Sequence, residues 1–549
     1  MYQQVLDPIA DSLGWSSLVA ALPLAVLFVL LGGLRMRAWL ASLIALAVSL
    51  AVAIWAYGMP AGQALLAGTE GAAFGFYPIL WIVINALWVY NITVTTGHFD
   101  VLRRTFAQVS DDKRLQAVLI AFSFGALLEA LAGFGTPVAV TSVMLIALGF
   151  QPLKAAVLAL TANTAPVAFG AMATPILTLG KVTGESSDTL GAMVGRQTPI
   201  LALFVPLVLV AIVDGRRGVR ETWPVALFCG VAFGLTQYVT ANFISVPLAD
   251  VTASLASAAA VVLIVRMRRP EAPARPAPVA GGAGEPTPEF AARVEGEGDG
   301  GRDSRAEVVR AYAPYAIIIA VFVICQIGAV KDLLDKATVT FSWPGLDLRS
   351  PTGDPLSLAE FNFNYLTTPG TQMLAAGFLT MAALRVGFGA SLRAYWTTLD
   401  QLKWAIVTVM AVLGLAFVMN ASGQTVTLGT WMAGAGAAFA VLSPILGWLG
   451  TAVTGSDTSS NSLFGALQVT AAGKADLSSV LMAASNSSGG VLGKMISPQN
   501  LAIAAAAVGL DGREGDIFRR VVLWSLLFLA GMCVLTGLQA TPILDWMVP

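Results

Sequence analysis

The sequence predicts an all-α polytopic membrane protein of about 12 spanning helices, two re-entrant helical hairpins and two inverted-topology repeats. Three observations carry this. Only 11% of the 549 residues are charged and 56% are hydrophobic, with a mean hydropathy of +0.76. A soluble protein carries about 25% charged residues, so this chain has too little polar surface to cover a soluble particle. Apolar segments of roughly 20 residues, the length that crosses a bilayer, recur along the chain. Finally, short polar motifs recur 323 residues apart.

Composition also narrows the function. The net charge of −1 gives no basic field for nucleic acid. Cys229, Cys325 and Cys533 lie in apolar runs and read as small hydrophobes, with no disulfide or metal pattern. His98 is the one histidine, and it sits in a basic loop beside Arg103 and Arg104. Proton chemistry is therefore left to carboxylates or lysine. The opening "MYQQVLDPIADSLGW" lacks a positive n-region, so no cleavable signal peptide is expected.

The expected spans are 16–34, 38–57, 74–92, 153–175, 197–213, 222–243, 246–266, 311–329, 371–387, 403–421, 476–496 and 519–540. Two further apolar stretches, 115–150 and 441–471, are broken by polar residues. Basic residues set the sides. Arg35 and Arg37, then Arg103, Arg104, Lys113 and Arg114, then Arg216, Arg217 and Arg220, then Arg266, Arg268 and Arg269 fall inside. So do Arg385, Arg393 and Lys403, and Arg513, Arg519 and Arg520, while both termini fall outside. This requires 115–150 and 441–471 each to enter and leave on one side. Hairpins or pairs of short spans both satisfy that; short second arms and Gly-, Ser- and Thr-rich breaks favour hairpins.

The domain plan follows. Residues 1–215 form a first repeat containing hairpin 115–150, and 216–268 supply two connecting helices. Residues 269–306, rich in Pro, Gly, Ala and charge, read as a flexible cytoplasmic linker. Residues 307–549 form a second repeat containing hairpin 441–471. "NTAPVAFGAMATP" from Asn163 matches "NSSGGVLGKMISP" from Asn486, and the same shift sets Thr136 of "GFGTP" on Ser459 of "TGSDTSSN". The first half starts outside and the second inside, so the repeats are inverted, a recurring plan of secondary transporters.

Backbone at membrane depth must satisfy itself unless it is buried in protein or lines a wet cavity. "TGSDTSSN", "GFGTP", "NTAPVAFG" and "NSSGG" all weaken helices through Gly, Pro and locally bonding Ser, Thr and Asn. Breaks of this kind aim helix N-termini at a common centre, where anions bind. Thr136, Asn163, Thr164, Ser456, Thr458, Ser459, Asn461, Asn486, Ser487 and Lys494 are the candidate substrate ligands. Scattered Gly and Ala are assigned to helix packing instead. Ionisable residues inside a membrane are costly and usually functional, which makes Glu129 and Asp457 the candidates for proton coupling. The alternative is a structural Asp457–Lys494 ion pair, with Lys494 either that pair's cation or an anion ligand. Arg196 reads equally well as an interface anchor.

The segments "GALLEALAGFGTPVA", "NTAPVAFGAM", "GWLGTAVTGSDTSSNSLFGALQ" and "GGVLGKMISPQNLAIA" resemble signature segments of the bacterial L-lactate permease family, which includes glycolate permeases. The resemblance runs nearly end to end. It implies an inner-membrane proton symporter for L-lactate, with D-lactate and glycolate as related substrates. The family in turn resembles the ion-transporter superfamily, with paired re-entrant hairpins and elevator-like motion, which here would involve 115–150 and 441–471. Two departures stand out. The linker 269–306 is unusually rich in Pro and Gly, and Thr136 stands where relatives are expected to carry Ala, a change that adds a hydroxyl.

No organic or metal cofactor is expected; the coupling ion is H⁺, with Na⁺ as the alternative. The partners are a small 2-hydroxymonocarboxylate and the lipid bilayer, and a homo-oligomer is compatible with the sequence. A non-transporting receptor would need an output domain, and the linker is too poor in apolar residues to fold as one. An intramembrane enzyme would need a nucleophile or metal set that is not visible.

Overall fold

Long apolar stretches satisfy every backbone group internally by coiling, and helices dominate the computed structural model. It describes residues 1–549 except 108, 111, 134, 268–303, 354, 511 and 512. Most of the 269–306 linker therefore lies outside the described residues. The helices are α1 Leu13–Gly33, α2 Ala38–Ala56, α3 Ala61–Thr95, α4 His98–Ala107, α5 Lys113–Leu131, α6 Thr136–Ala147, α7 Pro152–Ala162 and α8 Gly170–Thr183. They continue as α9 Ser187–Phe243, α10 Val246–Met267, α11 Arg305–Cys325, α12 Gly328–Asp335, α13 Pro369–Ala383, α14 Phe388–Ser422 and α15 Gln424–Thr454. The chain ends with α16 Asp457–Lys474, α17 Ser479–Gly493, α18 Pro498–Ala507 and α19 Glu514–Gln539.

Among the described residues, ten helices are long and apolar enough to cross a membrane, or eleven with the bent pair Pro152–Ala162 and Val167–Thr183, whose axes differ by 66°. The polar patterning displaced several boundaries. The expected span 74–92 is the second part of α3, which starts at Ala61 because Ala61, Gln63, Ala64, Leu65, Leu66, Ala67 and Glu70 are good helix formers that outweigh the glycines among them. Expected spans 197–213 and 222–243 are joined in α9 through a kink at Asp214 and Gly215. The expected span 371–387 is the 15-residue α13. The first part of α15, before its kink at Gly436, was not anticipated.

At one end of the molecule the chain makes two small sheets. β1 (Tyr2–Gln3) pairs in parallel with β3 (Leu348–Arg349), with Tyr2 opposite Leu348. β2 (Val339–Ser342) pairs antiparallel with β4 (Glu360–Phe363), with Val339 opposite Phe363. This cap is fixed to α3: Gln63 donates to the Gly345 carbonyl at 2.8 Å and accepts from the Asp347 N–H at 2.9 Å. Tyr2 donates to the Ser422 carbonyl at the end of α14 at 2.9 Å. At the opposite end Arg114 holds Asp112, Asp214 and Glu221 together.

An apolar cluster lies between these ends. Phe74, Leu80 and Val83 of α3 meet Ala171 and Val182 of α8, Val409, Leu413 and Phe417 of α14, and Phe361 of β4. It packs α3, α8 and α14 together.

Candidate functional site

The turn between α15 and α16 is two residues long. Gly455 adopts φ 78°, a left-handed conformation that glycine takes without steric cost, and Ser456 is extended. The Ser456 hydroxyl accepts the Ser459 N–H at 3.3 Å, capping α16. Asp457, Thr458 and Ser459 are therefore the first turn of a helix. They line a cavity of about 220 Å³. A helix N-terminus carries partial positive charge and suits an anion. Across the cavity stand Glu129, Lys494 and the start of α8 at Gly170, Ala171 and Thr174. Trp39 and Trp404, stacked with ring centroids 4.9 Å apart, stand at its edge away from the cap.

The wall opposite α16 is not a regular helix. After α7 the chain turns through Asn163–Pro166 and a short 3₁₀ turn, Val167–Phe169. Ala171, Met172 and Ala173 then follow with φ of 43°, 58° and 61°. L-residues with side chains pay for this region by roughly 1–3 kcal/mol each, and such strain is held only by surrounding packing. Met172 and Ala173 are fully buried, which supplies that packing.

Two carboxylates are arranged differently. Glu129 Oε1 accepts from Lys494 Nζ at 2.5 Å, and Oε2 accepts from Asn163 Nδ2 at 2.9 Å. The Glu129 and Lys494 side chains are 4% and 8% exposed, so this is a desolvated pair. Asp457 Oδ2 accepts from Ser487 Oγ at 2.6 Å and Asn461 Nδ2 at 3.4 Å, and Oδ1 from Thr451 Oγ1 at 3.4 Å. The anticipated Asp457–Lys494 pair does not form: Lys494 takes Glu129, and Asp457 is held by neutral donors.

Glu129, Ser456, Asp457, Thr458, Ser459 and Lys494 line the cavity. The other candidates stand behind or beside it. Asn163 positions Glu129, and Ser487 positions Asp457. Asn461 donates to the Pro175 carbonyl at 3.1 Å and accepts from Asn486 Nδ2 at 2.9 Å. This chain of amides ties α16 and α17 to α8. Thr164 donates to the Thr161 carbonyl at the end of α7, and Thr136 opens α6 outside the cavity lining. Arg196 donates to Asn242 and to the Met547 carbonyl, away from this group.

The stretch "NSSGG", expected to break a helix, stays inside α17. Its glycines serve close approach. A Cβ on Gly489 would fall 2.1 Å from the Pro444 carbonyl oxygen, and one on Gly490 would fall 2.0 Å from Asp457 Oδ1. The break in this part of the chain is later, at Lys494–Ile496, with Ser497 capping α18. Sequence reasoning did not single out Trp39, Trp404, Gln499 or Asn500, which also line the cavity. The first two adjoin basic residues that were read only for sidedness; the last two follow Ser497-Pro498, a helix-start signal.

A ligand-sized cavity walled by interrupted helices in an all-α multi-pass membrane protein fits a membrane permease. The chain belongs to the L-lactate permease family, whose model matches residues 16–543. It is 42% identical over 544 residues to the Escherichia coli glycolate permease GlcA, covering 96% of each chain. It is 41% identical to an L-lactate permease of Salmonella typhimurium, covering 100% of each. Among solved structures it is similar to Neisseria gonorrhoeae MtrF, at 14% identity and a TM-score of 0.46 over 87% of this chain and 84% of that one.

Proposed function

We propose that this permease imports L-lactate, and also D-lactate and glycolate, by proton symport across a bacterial cytoplasmic membrane. The observation that carries the reading is the desolvated Glu129–Lys494 pair on the wall of a small cavity faced by a helix N-terminus. Relatives at about 40% identity named as L-lactate and glycolate permeases support the substrate class.

The proposed cycle uses the pair as an exchange point. With no substrate, Lys494 neutralises Glu129. A proton taken by Glu129 turns it from ion-pair acceptor into neutral acid and frees the Lys494 ammonium. The substrate carboxylate then takes the ammonium, while the first turn of α16 and its hydroxyls receive the remaining oxygens. A monocarboxylate and one proton thus occupy the site with no added charge, which lowers the cost of moving it through the membrane. Asp457, gripped by Ser487, Asn461 and Thr451, fixes the N-terminal turn of α16 and is the second proton candidate.

In this reading 115–150 and 441–471 are the re-entrant hairpins of two inverted repeats, and they move with elevator-like displacement against the rest. The Trp39–Trp404 end carries Arg37 and Lys403 nearby, which the positive-inside rule assigns to the cytoplasm. The cavity is then inward-facing, and both termini lie outside.

The test is uptake of labelled L-lactate into proteoliposomes holding the purified protein. Imposing an inward proton gradient should raise accumulation, with sodium making no difference. Uptake indifferent to the proton gradient, or dependent on sodium, would refute proton coupling. Competition by unlabelled D-lactate and glycolate tests the substrate range.

A further inference from the structure

Glu70 is a buried acid that this cycle leaves unused. It lies on α3 one turn before Phe74, has no exposed surface, and neither carboxylate oxygen has a hydrogen-bond partner among the described residues. Burying an unpaired carboxylate is so costly that the group is held as a neutral acid instead. Glu129 and Asp457, by contrast, both have donors.

Its position gives that neutrality a consequence. One face of α3 carries Gln63, Leu66, Glu70 and Phe74, at helical spacing. Gln63 is bonded to the cap, and Thr69 accepts from Trp343 Nε1 at 3.3 Å. Phe74 belongs to the apolar cluster that shares Ala171 and Val409 with the cavity lining. Among the described residues, the charged groups around this face are few. From α8 comes Lys181, whose Nζ lies 5.8 Å from the Phe74 ring centroid and donates to the Glu360 carbonyl at 2.7 Å rather than to Glu70. From β4 comes Glu360, with its side chain toward solvent. Tyr77, with a buried hydroxyl, is the next titratable group along α3. The stretch of α14 packed here, 409–418, contains no ionisable residue.

We propose that Glu70 is a proton-operated lock on the contact between α3 and α8: its neutral form lets α8 pack against the apolar cluster, and its ionised form holds that contact open. The inference rests on the proton-coupled carrier reading. When α8 withdraws, Lys181 leaves with it and water reaches the carboxyl, which gives up its proton to that water. Closing requires a proton to return from the same side. No proton crosses the membrane on Glu70, so the lock governs how fast the carrier closes, while the coupled proton travels at the cavity.

The test is labelled L-lactate exchange in proteoliposomes at equal pH on both sides, with the maximal rate separated from KM. Loss of the coupled proton at the cavity raises KM and is overcome by saturating lactate; failure to close is not. The wild-type maximal rate should fall about tenfold or more between about pH 6 and about pH 8.5, and that of E70Q should change by less than about twofold. An E70Q profile as steep as wild type would overturn the proposal. Should E70Q not yield monodisperse protein, E70D carries the test: a shifted midpoint of the fall supports the lock, and an unshifted one overturns it. Wild-type accumulation that ignores an imposed proton gradient is a separate outcome and would remove the carrier reading instead.

Discussion

The segments around the two helix breaks, 129–174 and 452–497, keep the same spacing but differ in charge and in backbone. α5 ends at Leu131 and α15 at Thr454, 323 residues apart. At that shift Lys494 corresponds to Ala171, and Asp457 to Phe134. The first segment makes its wall from three consecutive left-handed residues and contributes one acid, Glu129. The second makes an ordinary 3₁₀ turn and contributes the cation, the second acid and the capped N-terminus facing the cavity. The ion pair joins a residue of each segment. The lesson is that the two segments share a spacing but divide backbone strain and charge between them, so that neither makes the site alone.

That division can be broken at its strongest point first. Lys494→Ala should abolish transport and, by leaving Glu129 buried and unpaired, destabilise the protein by roughly 3–5 kcal/mol. Thermal unfolding in detergent reads the second effect; a melting temperature equal to wild type would show that the pair holds little. Asp457→Asn should reduce gradient-driven accumulation by about 100-fold while leaving the melting temperature near wild type, since an amide keeps most of the local bonding. Full activity would remove Asp457 from the mechanism. Gly490→Ala places a methyl against Asp457 and should cost about 1–3 kcal/mol by overpacking, with a matching loss of uptake. The smallest effect sharpens the backbone contrast. Ala171→Gly should raise stability by up to about 1 kcal/mol by relieving left-handed strain. No such gain is expected from a glycine at Met495, inside the regular turn, and equal responses at the two positions would erase the contrast.

Much of this site could be read from the chain because ionisable residues in apolar runs stand out. Glu129, Asp457 and Lys494 all did, and all three reach the cavity. What could not be read was which acid Lys494 meets: Glu129 lies 365 residues away, and pairing depends on how α5 packs beside the break after α17. Glu70 escaped for a different reason. The polar residues of "AGTEGAAF" look like an external loop, yet they continue α3 by more than three turns before its hydrophobic part. The helical state of "NSSGG" was hidden because glycine weakens an isolated helix but also permits the close approach of α15 and α17 that stabilises this one. Span counting was least secure where helices merge or fall short, as in α9 and α13.

The central claim is that substrate and proton meet at the Glu129–Lys494 pair. Its most direct test is accumulation of labelled L-lactate by Glu129→Gln in proteoliposomes under an inward proton gradient, alongside its exchange at zero gradient. The account predicts that exchange persists, because the amide mimics the protonated acid and leaves Lys494 free, while gradient-driven accumulation is lost. Accumulation equal to wild type would contradict it.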